Sequence, residues 1–238
     1  LKKDVPVIDN LEDFDLKKID KEKLYNFLRE MEFNRLLSSA ISIYGEPSLN
    51  GNIKKDKNEK KIKKISRENY KLIESENDIE LWLKEADENG EIAIDTETNS
   101  LDPHTADLVG ISFSTQLGKA CYIPLGHKKG NLLNKQAVLE KIKKTLEDKS
   151  IKKIGQNIKF DFIVLYHHGI EMNAMEDTML MSYVLDAGKN RHNMDILSQI
   201  HLEHETIKFK EIVGTGKNQL NFSEVDINVA KNYAAEDA

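Results

Sequence analysis

Three short segments place carboxylates where divalent-cation chemistry could occur. The first, Ile92-Ala93-Ile94-Asp95-Thr96-Glu97-Thr98, is an apolar strand ending in two acids at i and i+2. A two-residue strand period puts Asp95 and Glu97 on one face. Like charges side by side are costly there unless a cation neutralises them. Hard oxygen ligands at this spacing suit Mg²⁺ or Mn²⁺. Taken alone, the segment also fits a turn whose acids merely face water.

The second segment is Gly155-Gln156-Asn157-Ile158-Lys159-Phe160-Asp161. A buried strand runs into a glycine, and a helix is expected to open with Asn157 and Asp161 four apart on one face. The third is Tyr233-Ala234-Ala235-Glu236-Asp237, in a helix expected to be capped by Ser223 with Asp226 at N3. Tyr233 and Asp237 again share a face, with small alanines beside them. An Asp near a helix C-terminus is electrostatically unfavourable unless something compensates for it. Together, four carboxylates and a tyrosine match what a two-metal phosphodiester hydrolase needs. Two divalent ions about 3.5–4 Å apart would activate a water and stabilise the leaving oxygen of an in-line displacement. Tyr233 could hold the attacking water.

The elements around these segments must deliver them to one place. Tyr70–Ile73, Glu91–Ile94, Leu108–Ser114, Ala120–Pro124 and Ile151–Ile154 read as strands. The third and fourth are expected to be antiparallel neighbours joined through Leu117-Gly118. Helices are expected after a capping box at Asn77 and Glu80, and over Asn134–Leu146. The remainder to Ala238 reads as mostly helical. Strands first and helices later, with a crossover, argue a mixed sheet with helices packed on it.

The 238 residues are 39% hydrophobic and 32% charged, which suits a soluble protein of one or two domains. No apolar run approaches a membrane span, and one cysteine, Cys121, excludes a disulfide framework. A cytoplasmic location is expected. The first residue is Leu1, so a piece of a longer chain is expected. The net charge of −6 is uneven: residues 1–44 carry −1, residues 45–64 carry +4, and residues 65–238 carry −9. The middle stretch, with Pro47 and Gly51 and few apolar residues, reads as a basic linker. Its Lys60-Lys61-Ile62-Lys63-Lys64 run has no interleaved aromatic to stack on bases. Before it, Leu24, Phe27, Leu28 and Met31, then Phe33, Leu36, Leu37, Ala40, Ile41 and Tyr44, predict two short helices broken near Glu32. That segment is too small for an independent core and reads as the tail of a preceding domain.

In this order, Asp-x-Glu, Asn-x₃-Asp and Tyr-x₃-Asp resemble the three exonuclease motifs of the DEDD superfamily, tyrosine subtype. The resemblance extends to the 3′–5′ proofreading domain of the bacterial family A DNA polymerase I family. It is carried by Asp95 to Asp102, Leu108-Val109-Gly110, Arg191 to Asp195, Gly216 to Leu220 and Tyr233 to Asp237. Residues 21–44 are similar to the helical end of that family's 5′-nuclease domain. The resemblance implies a ribonuclease-H-like 3′–5′ exonuclease fold, α/β, with a mixed sheet flanked by helices and a short N-terminal helical segment. It implies two metal ions held by Asp95, Glu97, Asp161 and Asp237, with Tyr233 orienting the water. Leu101 and Phe209 fall where the family wedges apolar side chains against terminal bases. Gln156, Asn157 and Arg191 fall where polar groups meet the substrate strand. Phe160 and Asn99 stand where the family often has tyrosine and aspartate.

The activity so implied is hydrolysis of DNA 3′ ends to 5′-mononucleotides, in replication and repair, by a monomer. The family's 5′-nuclease carboxylates would lie before residue 1 and its polymerase motifs after residue 238. The helix carrying Asp237 would end one residue later, and fraying there is expected to weaken metal binding on that side. An acidic body repels a polyanion, so slow action on single-stranded or frayed ends is expected. A ribonuclease-D-like exoribonuclease and an inert structural spacer are the competing readings. The upstream helices and Gly216-Lys217-Asn218-Gln219-Leu220 disfavour the first, and four intact carboxylates the second.

Other features carry less. Gly214 to Asn218 lacks the upstream glycine and the Ser/Thr of a phosphate loop. His201-Leu202-Glu203-His204-Glu205 lacks a third spaced zinc ligand. His167-His168 are expected to close a helix before Gly169, and Cys121 to be a buried thiol.

Overall fold

Upstream, the 3.6-residue apolar spacing produces two helices, α1 (Lys21–Glu30) and α2 (Asn34–Tyr44). Glu32, in the left-handed region at φ 55°, makes the break between them. Tyr25, Leu28 and Ala40 bury against one another, and the Tyr25 hydroxyl donates to the Gly45 carbonyl at 2.6 Å. The computed structural model describes residue 15, residues 18–46 and residues 66–238, in two compact units within 1–59 and 60–238. Residues 47–64 of the expected linker, with its lysine run, lie outside the described residues.

The second unit is built on one six-stranded sheet. Its strands are β1 (Tyr70–Leu72), β2 (Glu91–Thr98), β3 (Leu108–Gln116), β4 (Lys119–Pro124), β5 (Lys152–Gly155) and β6 (Met175–Asp177), in the order β1-β4-β3-β2-β5-β6. β3 is antiparallel to both its neighbours, and the other pairs are parallel. Helices α3 (Glu76–Asn89), α4 (Lys135–Glu147) and α5 (Lys159–His167) follow, then α6 (Thr178–Asp186), α7 (Met194–Leu202), α8 (Phe209–Val213) and α9 (Ile227–Asp237). Among the described residues, no helix is long and apolar enough to cross a membrane.

Strand alternation sorts the side chains of β2. Ile92 and Ile94 enter the main core with Ile79, Trp82, Ile142 and Val164 of α3, α4 and α5. Each such fully buried aliphatic side chain contributes about 1.5–3 kcal/mol. Asp95 and Glu97 have the opposite parity and face the side covered by α8 and α9, where Val109, Tyr122, Val213, Phe222, Ala230 and Ala234 form a second cluster. Ala230 and Ala234 are fully buried, and such small side chains let a helix lie close to a sheet. Gly110, the partner of Glu97 across β2 and β3, has a similar use. A Cβ there would sit 2.1 Å from the Tyr122 hydroxyl, so only glycine leaves room for that ring.

Four local expectations are corrected. The cap of α3 is Ser75, whose hydroxyl accepts from the Asp78 amide, rather than Asn77. The cap of α9 is Asp226, which accepts from Asn228 and Val229, whereas Ser223 lies in a preceding 3₁₀ turn capped by Asn221 and Glu224. Asn157 lies outside α5, at φ 59°, rather than on its face. Strand β6 falls in a stretch read as helical: three residues at a sheet edge are too few to show a period. Its last residue, Asp177, also caps α6 and accepts from the Asn157 amide at 3.0 Å.

Candidate active site

Where β2 passes beyond its partner β5, its carboxylates meet the end of α9. Pairing of β2 with β5 stops at Ala93 and Ile154, and β5 itself ends at Gly155. The Thr96 amide therefore lacks a strand partner, and Asp161, in the first turn of α5, replaces it. Thr96 donates to Asp161 Oδ1 from its backbone N–H at 2.8 Å and from its hydroxyl at 2.6 Å. On the other face, Asp95, Glu97 and Asp237 place one carboxylate oxygen each within 4.8 Å of one another. Asp161 stands outside this trio but lines the same cleft, of about 650 Å³.

Burial governs the electrostatics. The Asp95 and Glu97 carboxyls are held well above the usual range by burial, then by Asp161 and Glu97 around Asp95 and by Asp237 and Asp161 around Glu97. Asp161 is pushed up to about 6 because burial outweighs the two Thr96 hydrogen bonds. Asp237 is pushed up to about 7 by burial, against the Tyr233 hydrogen bond and with Glu236 and Asp195 adding. The Tyr233 hydroxyl is driven up by burial and by Asp237, Glu97 and Asp95, and so keeps its proton. Among the described residues, one buried side-chain oxygen, Glu97 Oε1, has no hydrogen-bond partner. Such an orphan beside like charges fits a divalent cation, because a cation satisfies both the oxygen and the charge. The donor set is all carboxylate oxygen, which suits Mg²⁺ or Mn²⁺ rather than zinc.

Aromatic rings shape the wall opposite the carboxylates. Phe209 and Phe222 stack with centroids 6.3 Å apart, and Tyr233 meets them at 5.9 and 6.0 Å. Leu101 stands 94% exposed at the cleft rim. Of the residues expected at the substrate strand, Leu101, Gln156, Asn157 and Phe209 line the cleft. Gln156 is engaged at both ends of its amide: it donates to the His192 carbonyl at 2.7 Å and accepts from the Thr178 hydroxyl at 2.6 Å. Arg191 is exposed in the loop before α7 and is not among the lining residues, because that loop is tied to the site through the His192 backbone instead.

Sequence reasoning did not single out Thr96, Phe222 or Glu236. In the sequence Thr96 is only the residue between two acids, and Phe222 lies in a 3₁₀ turn with no periodic signal. The set-aside residues behave as ordinary structure. His204 bonds to Glu236, His167 ends α5, and Cys121 is buried in β4 with its thiol pushed up by burial.

The sheet and its helices are those of the ribonuclease-H-like exonucleases. Escherichia coli RNase D, an exoribonuclease involved in structured RNA processing, superposes with a TM-score of 0.52 at 17% identity, covering 71% of this chain and 41% of that one. The Aedes aegypti Nibbler EXO domain gives 0.54 at 13% identity, covering 74% and 85%. Residues 70–238 match the family model of the 3′–5′ exonuclease of family A DNA polymerases, and the chain belongs to that family. Among its relatives are DNA polymerase I of Rhizobium leguminosarum, 41% identical over 67% of this chain, and of Pseudomonas aeruginosa, 37% identical over 92%. The chain spans only 18% and 24% of their lengths.

Proposed function

We propose that this chain removes nucleotides from DNA 3′ ends by hydrolysis, as a DEDD exonuclease of the tyrosine subtype, releasing 5′-mononucleotides. The observation that carries the reading is the approach of Asp95, Glu97 and Asp237 within 4.8 Å around an unpartnered, buried Glu97 oxygen. Asp95, Glu97 and Asp237, with the second oxygen of Asp161, would hold two Mg²⁺ or Mn²⁺ ions. When bound, these ions neutralise the carboxylates, acidify the attacking water and stabilise the leaving 3′ oxygen.

The chain's own groups do the positioning. Tyr233, protonated and packed between Phe209, Phe222 and Asp237, presents a hydroxyl that orients the attacking water. Leu101 and Phe209 contact the terminal bases, whose faces stack on aromatic rings without regard to sequence. Asn157, in the left-handed region, turns toward the strand backbone; Gln156 acts by bracing the α6 and α7 loops. Arg191 reaches the strand only if its exposed side chain swings in. The acidic body supplies little attraction for a polyanion, so single-stranded or frayed ends are the preferred substrates.

The domain works beside polymerase and 5′-nuclease domains of one polypeptide, as a cytoplasmic monomer. Residues 1–44 form the helical tail of the 5′-nuclease domain and 45–64 a linker; the alignment to the Pseudomonas polymerase, over 92% of this chain, supports the upstream part. The fold likeness to RNase D keeps an RNA substrate as the second reading, and kinship with DNA polymerases at 41% and 37% identity favours DNA. The test compares 5′-labelled single-stranded DNA and RNA of one sequence across a salt series. Stepwise shortening of DNA from the 3′ end, faster than RNA and slowed by salt, supports the proposal. Faster degradation of RNA overturns it.

A further inference from the structure

The last turn of α9 carries two adjacent acids, Glu236 and Asp237, at the helix end where the dipole disfavours them. Asp237 belongs to the carboxylate trio with Asp95 and Glu97, and Glu236 faces the other way. The Glu236 side chain is only 3% exposed, yet it is fully engaged. Arg67 grips Oε1 from Nε at 2.8 Å and from Nη2 at 2.7 Å. His204 Nε2 lies 2.8 Å from the same oxygen, and the Ile207 amide donates to Oε2 at 2.6 Å. Three segments thus converge on one carboxylate: the turn before β1, the end of the α7 loop and the approach to α8. That approach is itself pinned, since Lys208 Nζ reaches Asp195 at 3.0 Å and the Thr206 hydroxyl bonds to the same carboxylate. Its next residue is Phe209, on the cleft wall.

We propose that Glu236 is a positioning residue of the nuclease site: by clasping Arg67, His204 and the Ile207 amide, it fixes the last turn of α9 so that Asp237 and Tyr233 face Asp95 and Glu97, and it sets the segment that presents Phe209. A buried carboxylate with charged and backbone donors is a rigid anchor, because bonds to a carboxylate are charge-assisted and Glu236 itself is shielded from water. The arrangement also resolves the helix-end problem. Arg67 places a cation at the negative end of α9, which lets Asp237 remain there for the metal site. Residues supporting metal ligands in this way commonly change affinity or activity by about 10–100-fold when lost.

The inference rests on the exonuclease reading, and the experiment separates the two. Mn²⁺ binding is measured by calorimetry on wild type, Glu236→Gln, Arg67→Ala and the double variant, beside melting curves and steady-state kinetics on single-stranded DNA. The isosteric Gln keeps the shape; Arg67, 43% exposed at its side chain, is removed without opening a buried void. The expected result is Mn²⁺ affinity and kcat each lowered about 10–100-fold in Glu236→Gln with KM changed far less. Arg67→Ala should give a smaller loss in the same direction, with no further loss in the double variant, as partners in one network show. A lowered Tm with unchanged Mn²⁺ affinity and kcat overturns the inference. So does full additivity of the two variants. If the wild type binds Mn²⁺ but degrades no DNA, the exonuclease reading falls and the affinities alone decide the role of Glu236.

Discussion

Thr96 and Asp161 are joined twice at one oxygen: the Thr96 amide and hydroxyl both donate to Asp161 Oδ1, at 2.8 and 2.6 Å. The bond replaces the ladder partner that β2 loses where β5 ends, and so ties α5 to the strand bearing Asp95 and Glu97. One oxygen of Asp161, a residue that lines the cleft, is thereby committed to structure. Thr96→Val keeps the amide bond and removes the hydroxyl one. A buried hydrogen bond to a carboxylate contributes roughly 1.5–3 kcal/mol, so a lower Tm is expected in EDTA, together with weaker Mg²⁺ binding. An unchanged Tm would show that the hydroxyl bond contributes nothing.

The acidity of the site couples metal to stability. Without metal, Asp161 sits at about 6 and Asp237 at about 7, both above the roughly 3.9 of an unfolded Asp. Between those limits the folded state binds more protons than the unfolded one. Stability from these two groups is therefore complete at low pH and is lost as pH rises through about 4 to 7. A divalent cation takes the place of the protons, so its effect grows with pH. Melting curves with Mg²⁺ and with EDTA, at about pH 5.5 and about pH 8, should differ more at the higher pH. Equal differences would mean that the carboxylates do not carry the coupling.

Gly110 is predicted to be intolerant of any side chain. Its Cβ would meet the Tyr122 hydroxyl at 2.1 Å and two ring carbons at 2.3 Å, with Glu97 directly opposite in β2. Gly110→Ala should lower stability by about 1–3 kcal/mol, as overpacking does, and disturb metal binding as Tyr122 is displaced. Denaturant melts would check the first effect, and a midpoint equal to wild type would refute it.

The proposed role of Tyr233, orienting the attacking water, requires a neutral hydroxyl, and burial and three carboxylates keep its proton in place. Tyr233→Phe retains the ring contacts with Phe209 and Phe222. Losing one such oriented group should lower kcat by about 10²-fold while leaving Mn²⁺ affinity near wild type. Single-turnover kinetics with calorimetry would test this; a parallel fall in metal affinity would assign Tyr233 a structural role instead.

The chain makes part of this site legible and hides the rest for definite reasons. Asp95 and Glu97 share a face because strand side chains alternate, and Tyr233 and Asp237 share one because helix positions four apart align; both relations are local. The same locality explains the break between α1 and α2 at Glu32 and the hairpin through Leu117-Gly118. Asp161 was identifiable by type, but its bond to Thr96 spans 65 residues and depends on where β5 stops. Asn157 looked like a helix start, yet its left-handed backbone follows from the Asp177 carboxylate of a strand too short to read. Glu236 had no signal, because its partners lie 29 to 169 residues away.

The most direct test of the account is degradation of a 5′-labelled single-stranded DNA oligomer in Mg²⁺ or Mn²⁺, beside Glu97→Ala and an EDTA control. Glu97 is decisive because its unpartnered oxygen is the clearest mark of the cation site. The account predicts a ladder shortening from the 3′ end that both the variant and EDTA abolish. A ladder that persists in folded Glu97→Ala, or in EDTA, would contradict it.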